Sequence, residues 1–439
     1  MSKKAQNFYD LGVAPLLAKT LEKEGITTPF PIQLATIPDA ISGKDVLGRG
    51  QTGSGKTLSF GLPLLTRLDG SSVKSHRPLG LILSPTRELA IQINDVLKPL
   101  ANLLGLHTQV VAGGMPYLPQ IHSLKRGVHI LVATPGRLND LLDKNHVDLS
   151  EVEITILDEA DQMADMGFYP VARDILALTR KDGQRLLFSA TLDGDVDALV
   201  KQFMKNPILH SLENEKSRAV EMKHYALIIN QGEKNDVAAH IAARDGRTII
   251  FTKTKFGADK LATHMLNVGI PVGVLHGGKT QKQRARVLQQ FKDGVTTALI
   301  ATDVAARGIH VDDVSLVVNY DAPQDHKDYL HRAGRTARAG ATGVVVTLAT
   351  AKQRRGVYGL TKRADVQISD IQVRPTSPEL IELTGAQEPS GIPVVIQEEK
   401  SGGRGSRGGS REGGSRGGFR GGSRDGGSRG RSSDSPRRE

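Results

Sequence analysis

Short apolar runs that end in Gly, Ser or Thr alternate along this chain with longer segments of helical period, and the alternation occurs twice. In the first half the runs are Asp45–Leu47, Leu79–Leu83, Thr108–Val111, His129–Val132, Glu153–Leu157 and Arg185–Phe188. Amphipathic stretches such as Glu88–Leu104 and Gly136–Lys144 separate several of them. The second half repeats the pattern at Thr248–Phe251, Val272–Leu275, Thr297–Ile300, Val314–Val318 and Gly343–Leu348. Strands that alternate with helices pair in parallel, and the helices cover both faces of the sheet. The expected class is therefore α/β, with tandem parallel-sheet domains over residues 1–205 and 220–365. The polar stretch NPILHSLENEKSRA, residues 206–219, reads as a linker. Residues 366–400 are Pro-broken and read as an irregular extension. From 401 to 439 the chain is Gly/Arg/Ser low complexity; it is expected to be disordered, because it cannot bury enough apolar surface to offset its ordering entropy.

Composition removes several function classes. There is no Cys, which excludes disulfides, thiolate zinc sites and a Cys nucleophile. No run approaches ~18 consecutive apolar residues, and nothing resembles a signal peptide, so the chain reads as cytoplasmic with no membrane association. The formal net charge is +11, and the 401–439 tail, with 10 Arg against 4 Asp and Glu, carries +6 of it. That balance points to a polyanionic partner.

The strongest local signal is GQTGSGKT, Gly50 to Thr57, between a predicted strand and a predicted helix through Leu58–Leu68. Such a loop curls its backbone N–H groups round phosphates, and the following helix adds its N-terminal dipole. Thr52, Gly53, Ser54 and Gly55 would form the cradle. Lys56 would reach the β- and γ-phosphates, and the Thr57 hydroxyl would ligate Mg²⁺. A second predicted strand ends in Asp158-Glu159-Ala160-Asp161. Carboxylates at the C-terminal end of a sheet strand lie where such sheets bind ligands. Asp158 would hold Mg²⁺, partly through water, and Glu159 would orient and deprotonate an attacking water.

Further motifs add a family resemblance. PTRELA at Pro85–Ala90, TPGR at Thr134–Arg137, DEAD at 158–161, SAT at Ser189–Thr191 and HRAGRTAR at His331–Arg338 resemble a DEAD-box ATP-dependent RNA helicase over about residues 8–350. The short ends around the core make the chain similar to a bacterial RhlE-type member. The resemblance implies two tandem RecA-like domains of the P-loop NTPase class, helicase superfamily 2. It makes residues 8–33 the adenine-reading region, with Gln33 as the amide that reads the base, Phe8 as the upstream aromatic and Ile26 where an aromatic is common. Arg335 and Arg338 are similar to the family's arginine fingers. Ser189, Thr191 and His331, with Asp161, are implied to couple hydrolysis to RNA release. Arg87, Gly114, Thr134, Arg137, Gln281, Arg284, Thr302 and Asp303 are implied to bind RNA through its phosphates and 2′-OH groups, without regard to sequence. Two departures stand out: Ala337 where Gly is common, and His310 where the family usually has Asp, which is expected to weaken ATP binding in the closed form.

The implied activity is an RNA-dependent ATPase that unwinds or remodels RNA by closing two domains, using ATP and Mg²⁺. An ATP-gated RNA clamp with little unwinding remains the alternative. A translocating DNA helicase is disfavoured by the Gln33 motif. RNA is the expected partner, with ribosomal precursors or RNA-decay machinery as its setting, and the chain is expected to act as a monomer. RGG units at Arg407, Arg416 and Arg420 suit a flexible RNA-binding polycation, or a solubilising tail.

Overall fold

A computed structural model describes residues 7–50, 54–192, 194–211, 222–306, 311, 313–337 and 342–394. The first half contributes β1 (Val46–Arg49), β2 (Gly80–Leu83), β3 (Thr108–Val111), β4 (Ile130–Ala133), β5 (Ile154–Asp158), β6 (Gln184–Ser189) and β7 (Ile208–Ser211). The second contributes β8 (Met222–Ile228), β9 (Arg247–Phe251), β10 (Val272–Leu275), β11 (Ala298–Ala301), β12 (Val314–Asn319), β13 (Gly343–Ala349) and β14 (Ser369–Gln372). The sheets run β3-β4-β2-β5-β6-β1-β7 and β10-β11-β9-β12-β13-β8-β14. All pairings are parallel. Numbered within each half, both sheets have the same order, 3-4-2-5-6-1-7. These are the two tandem α/β sheets expected of RecA-like domains.

Central strands are buried on both faces, which is why they read as continuous apolar runs: every residue of β2, β4 and β5 is buried. Each run named above holds a strand whose ends are shifted by at most a couple of residues. Crossover helices supply the other half of each core. Phe60 of the helix Lys56–Leu68 meets Phe188 of β6 with ring centroids 5.4 Å apart.

The segment expected to be a linker contains a strand. Ile208–Ser211 pairs with β1, Val46 opposite Ile208, at the sheet edge. Only one flank of an edge strand is hydrogen-bonded, and none of β7 is fully buried, so its sequence carries little apolar signal. The same holds for β14, whose polar SDIQ pairs with β8 inside the segment expected to be irregular. That extension packs onto the second half. Val373 and Leu380 are buried in its core, and the Gln387 and Val394 amides donate to the His240 and Leu266 carbonyls.

Parallel order brings the motifs to one edge. The phosphate loop follows β1, the PTRELA stretch follows β2, Thr134 follows β4, Asp158 ends β5 and Ser189 ends β6. The C-terminal edge of the first sheet therefore collects groups that lie far apart in sequence.

Candidate functional site

Of the phosphate loop, Gly50 and Ser54 to Thr57 are described; Gln51, Thr52 and Gly53 lie outside the described residues. Gly55 has φ +90°, a left-handed conformation that glycine takes freely, and a Cβ there would meet Gln33 Nε2 at 2.7 Å and Phe30 at 2.8 Å. Gln33 is buried and braces this turn. Its Nε2 donates to the Gly55 carbonyl at 3.0 Å, and its Oε1 accepts from the Phe30 amide at 2.8 Å.

Lys56 opens the helix Lys56–Leu68 and is only 6% exposed. Its Nζ lies 3.0 Å from Glu159 Oε1. Burial pulls the Lys56 ammonium towards its neutral form, but Glu159, Asp158 and Asp161 outweigh it and hold the pKa above the usual lysine value. Asp158 is pushed up to about 7, chiefly by burial, with the Glu159 and Asp161 charges adding to it and Lys56 opposing. Glu159 follows the strand at φ 53°, ψ 51°. A non-glycine residue in that region costs on the order of 1 kcal/mol or more. This turn sets Glu159 beside Lys56 at the start of the helix Ala160–Asp165.

Asp161 ties this corner to the strand that ends in SAT. Its Oδ2 accepts from the Ala190 amide at 3.2 Å, the Thr191 amide at 2.9 Å and the Thr191 hydroxyl at 3.3 Å. The Asp161 amide donates to Ser189 Oγ at 3.2 Å. From the second half, His331 Nε2 approaches Asp161 Oδ2 to 3.9 Å. Burial alone would raise the Asp161 pKa; His331, Lys56 and the Thr191 amide overcome it and hold the carboxylate well below its usual range.

Two of the three arginines named for RNA, Arg87 and Arg284, converge on a carboxylate that the sequence reading did not single out. Arg87 Nη2 and Arg284 Nη2 both reach Glu88 Oε1, at 3.3 and 3.0 Å, and all three side chains are largely buried. Arg87 Nη1 also donates to the Gly113 carbonyl at 2.8 Å, and a Cβ on Gly114 would collide with the same guanidinium. Arg87 Nε, Arg284 Nε, Gln281 Oε1 and His331 Nδ1 are buried with no hydrogen-bond partner. Buried polar atoms are ordinarily paired, so Arg87, Arg284 and Gln281 retain hydrogen-bonding capacity that the fold itself does not use. Thr134 precedes the helix Pro135–Asp143 without a capping bond from its side chain, and Arg137 lies over the Tyr117 ring, 5.0 Å from its centroid.

Other named residues are placed differently. Phe8 is 2% exposed and belongs to the core with Leu17 and Ile37, so it presents no open ring face. Phe30 and Ile26 are both exposed, and Phe30 borders Gly55. Phe30 was overlooked because it reads as one more residue before Pro31. Asp303 gives both carboxylate oxygens to Arg332, which also bonds Asn319 and the Asp321 carbonyl and stacks on Phe251. Asp303 thus anchors the helix His326–Ala333 from within the fold, whereas its neighbour Thr302 is the first residue past β11. Arg335 is 6% exposed, with Nε donating to the His331 carbonyl; Arg338 and His310 lie outside the described residues.

The donor set of Thr57 hydroxyl and Asp158 carboxylate is all oxygen, which fits a hard divalent cation. Among the described residues no three His, Asp or Glu side chains are arranged to cage a metal. Mg²⁺ is ordinarily held by one or two carboxylates together with substrate phosphates, so the residues present fit that cation only alongside a nucleotide.

The chain matches the DEAD/DEAH box helicase family over residues 30–199 and the helicase conserved C-terminal domain over residues 233–340. It is 39% identical over 367 residues to DEAD-box ATP-dependent RNA helicase 20 of Arabidopsis thaliana, covering 82% of this chain and 73% of that protein. It is 40% identical over 371 residues to the pre-mRNA-processing ATP-dependent RNA helicase PRP5 of Gibberella zeae, but spans only 31% of that longer protein. Among solved structures it resembles S. cerevisiae Dbp5 bound to RNA and ADP BeF3, with TM-score 0.74 and 29% identity over 84% of this chain and 96% of that one. It likewise resembles Mss116p bound to ssRNA and AMP-PNP, with TM-score 0.72 and 26% identity over 87% and 82% of the two chains. With the phosphate loop, the carboxylate corner and the repeated parallel sheets in place, these likenesses identify the chain as a member of the DEAD-box family of ATP-dependent RNA helicases.

Proposed function

We propose that this chain hydrolyses ATP in response to RNA and uses the cycle to open short duplexes or remodel RNA–protein complexes. The observation that carries this reading is the pair of contacts made by one turn of chain: Glu159 meets Lys56, and Asp161, two residues on, meets Ser189, Thr191 and His331. It connects a phosphate-binding turn in the first half to a helix of the second.

In this reading the Lys56 ammonium exchanges Glu159 for the nucleotide's phosphates. Glu159, released, accepts a proton from the attacking water. Thr57 and Asp158 would hold Mg²⁺, which supplies charge neutralisation at the phosphates when bound. Gln33 reads the adenine edge while Ile26 and Phe30 supply apolar contact. Arg335 and Arg338 act as arginine fingers. Asp161 transmits the state of the nucleotide through its bonds to Ser189 and Thr191, and His331 senses it from the other half. Arg87, Gly114, Thr134, Arg137, Gln281, Arg284 and Thr302 contact the RNA backbone, for which the unpartnered polar atoms on Arg87, Gln281 and Arg284 give support. The halves divide near residues 205 and 220, and the chain acts in the cytoplasm as a monomer. The fungal and plant origin of the relatives named above lends no support to a bacterial RhlE-type placement.

Steady-state ATP hydrolysis with and without RNA, on the wild type and Glu159→Gln, tests the reading. RNA should stimulate the wild type and not the variant; a wild type indifferent to RNA would sink it. Strand displacement separates an unwinding enzyme from an ATP-gated clamp.

A further inference from the structure

The helix Arg354–Arg363, RRGVYGLTKR, is built against its own stability on one face only. Its inner face is ordinary: Val357, Leu360 and Thr361 are buried against β8, β13 and the helix His326–Ala333. At 3.6 residues per turn, Arg355, Gly356, Gly359, Lys362 and Arg363 fall within an arc about 120° wide on the opposite side. All five are exposed, as is Lys352 in the turn just before the helix. The helix contains no acidic residue.

Three local choices on this face work against the helix. Arg355 stands in the first turn, where the macrodipole disfavours a cation. Gly356 and Gly359 occupy interior positions where Ala would be more stable. A Cβ added at either glycine would meet nothing within 4 Å, so no packing inside the fold calls for them. Neighbouring Arg354 is different, because it pairs with Asp370 at 2.7 Å and lies over Tyr358. Local rules broken together on one exposed face, without compensation inside the fold, mark a functional surface.

We propose that Lys352, Arg355, Lys362 and Arg363 form an auxiliary RNA-backbone site on the second half, outside the site described above. The two glycines leave a floor without side chains, over which a phosphodiester chain can approach the helix closely. Charge complementarity favours RNA. The face offers only Lys, Arg and Gly, with no aromatic or aliphatic side chain, which suits a phosphate backbone better than the packed centre of a protein interface. The inference rests on the RNA-helicase reading for its ligand but uses none of that reading's site residues.

The test is direct binding of fluorescent RNA to the full-length chain, comparing the wild type with the fourfold variant Lys352→Gln, Arg355→Gln, Lys362→Gln, Arg363→Gln. Two probes are used: long poly(U), and an oligouridylate just long enough to fill the cleft. For poly(U) at low salt, affinity should fall about 10-fold, and the slope of log affinity against log salt should drop by about 0.7 for each phosphate no longer neutralised. Binding of the short probe and the rate of ATP hydrolysis at saturating RNA should be unchanged. Gly359→Glu, which places a carboxylate on the floor without touching the core, should weaken poly(U) binding in the same way. Unchanged poly(U) affinity in both variants would overturn the proposal and leave the face to an acidic protein. Equal weakening on both probes would overturn it too, because the cleft itself would then be affected. Failure of the helicase reading would appear separately, as a wild type whose ATP hydrolysis ignores RNA.

Discussion

Glu88 Oε1 lies 3.3 Å from Arg87 Nη2 of its own half and 3.0 Å from Arg284 Nη2 of the other. One carboxylate therefore faces two nearly buried guanidiniums, and the trio keeps a net positive charge. Removing one partner of a buried ion pair typically costs about 3–5 kcal/mol, because a charge is left uncompensated. Glu88→Gln should accordingly lower the melting temperature of the RNA-free protein. An RNA phosphate would restore an anionic partner, so RNA should raise the melting temperature of this variant more than that of the wild type. An equal thermal shift in both proteins would argue against phosphate contact at these arginines.

Glu159→Gln removes the proton acceptor while keeping shape and hydrogen-bonding capacity. Loss of a general base typically costs about 10²–10⁴ in rate. ATP hydrolysis should fall by that order, whereas binding of a labelled nucleotide should persist, since Lys56 no longer has to leave a carboxylate. A variant that failed to bind nucleotide would point to a structural role for Glu159.

Ala337 stands at φ 57°. An L-residue pays roughly 1–2 kcal/mol for that conformation, whereas glycine adopts it freely. Ala337→Gly should therefore stabilise the protein by up to about 1 kcal/mol, once glycine's extra freedom in the unfolded chain is deducted. Chemical denaturation reads this as a higher midpoint with an unchanged slope.

His224 is half-buried against Tyr329, its Nδ1 2.9 Å from the Tyr329 hydroxyl, and desolvation depresses its pKa from 6.5 to about 4. Below pH 6.5 the unfolded chain takes up a proton that the folded chain refuses. Stability is therefore full above pH 6.5 and lost as pH falls towards 4, by up to about 3 kcal/mol. His224→Gln, which cannot titrate, should flatten the fall in melting temperature across that window.

Much of this architecture could be read from the sequence because its strands are buried on both faces. Runs such as Leu79–Leu83 admit few other interpretations, and the phosphate loop is defined by its residues alone. The edge strands β7 and β14 escaped notice because hydrogen bonding on one flank suffices to hold them, with little apolar content. The sequence named Lys56, Glu159 and Asp161 by residue type, and the fold brings the three to one corner. The site was not legible where a charge could serve either ligand or fold. Asp303 appears as one more polar residue in a motif, and only the arrangement about Arg332 shows it committed to internal support. Glu88 was hidden in the same way: its significance depends on an arginine almost two hundred positions away, and no spacing rule connects them.

The identical strand order of the two sheets makes β8 the counterpart of β1 and β12 the counterpart of β5. Lys56 opens the first helix after β1; Lys234 opens the corresponding α-helix after β8. Lys56 pairs with an acid just past the end of β5, and Lys234 pairs at 2.9 Å with Asp321, just past the end of β12. In the second copy a short 3₁₀ turn, Gln231–Glu233, occupies the place of the glycine loop, and the Lys234 ammonium lies 4.0 Å from the Tyr320 ring centroid. The two sheets thus repeat not only a strand order but the placement of one ammonium group at the same corner. In the first half that group faces a glycine loop, and in the second it is held between Asp321 and the Tyr320 ring.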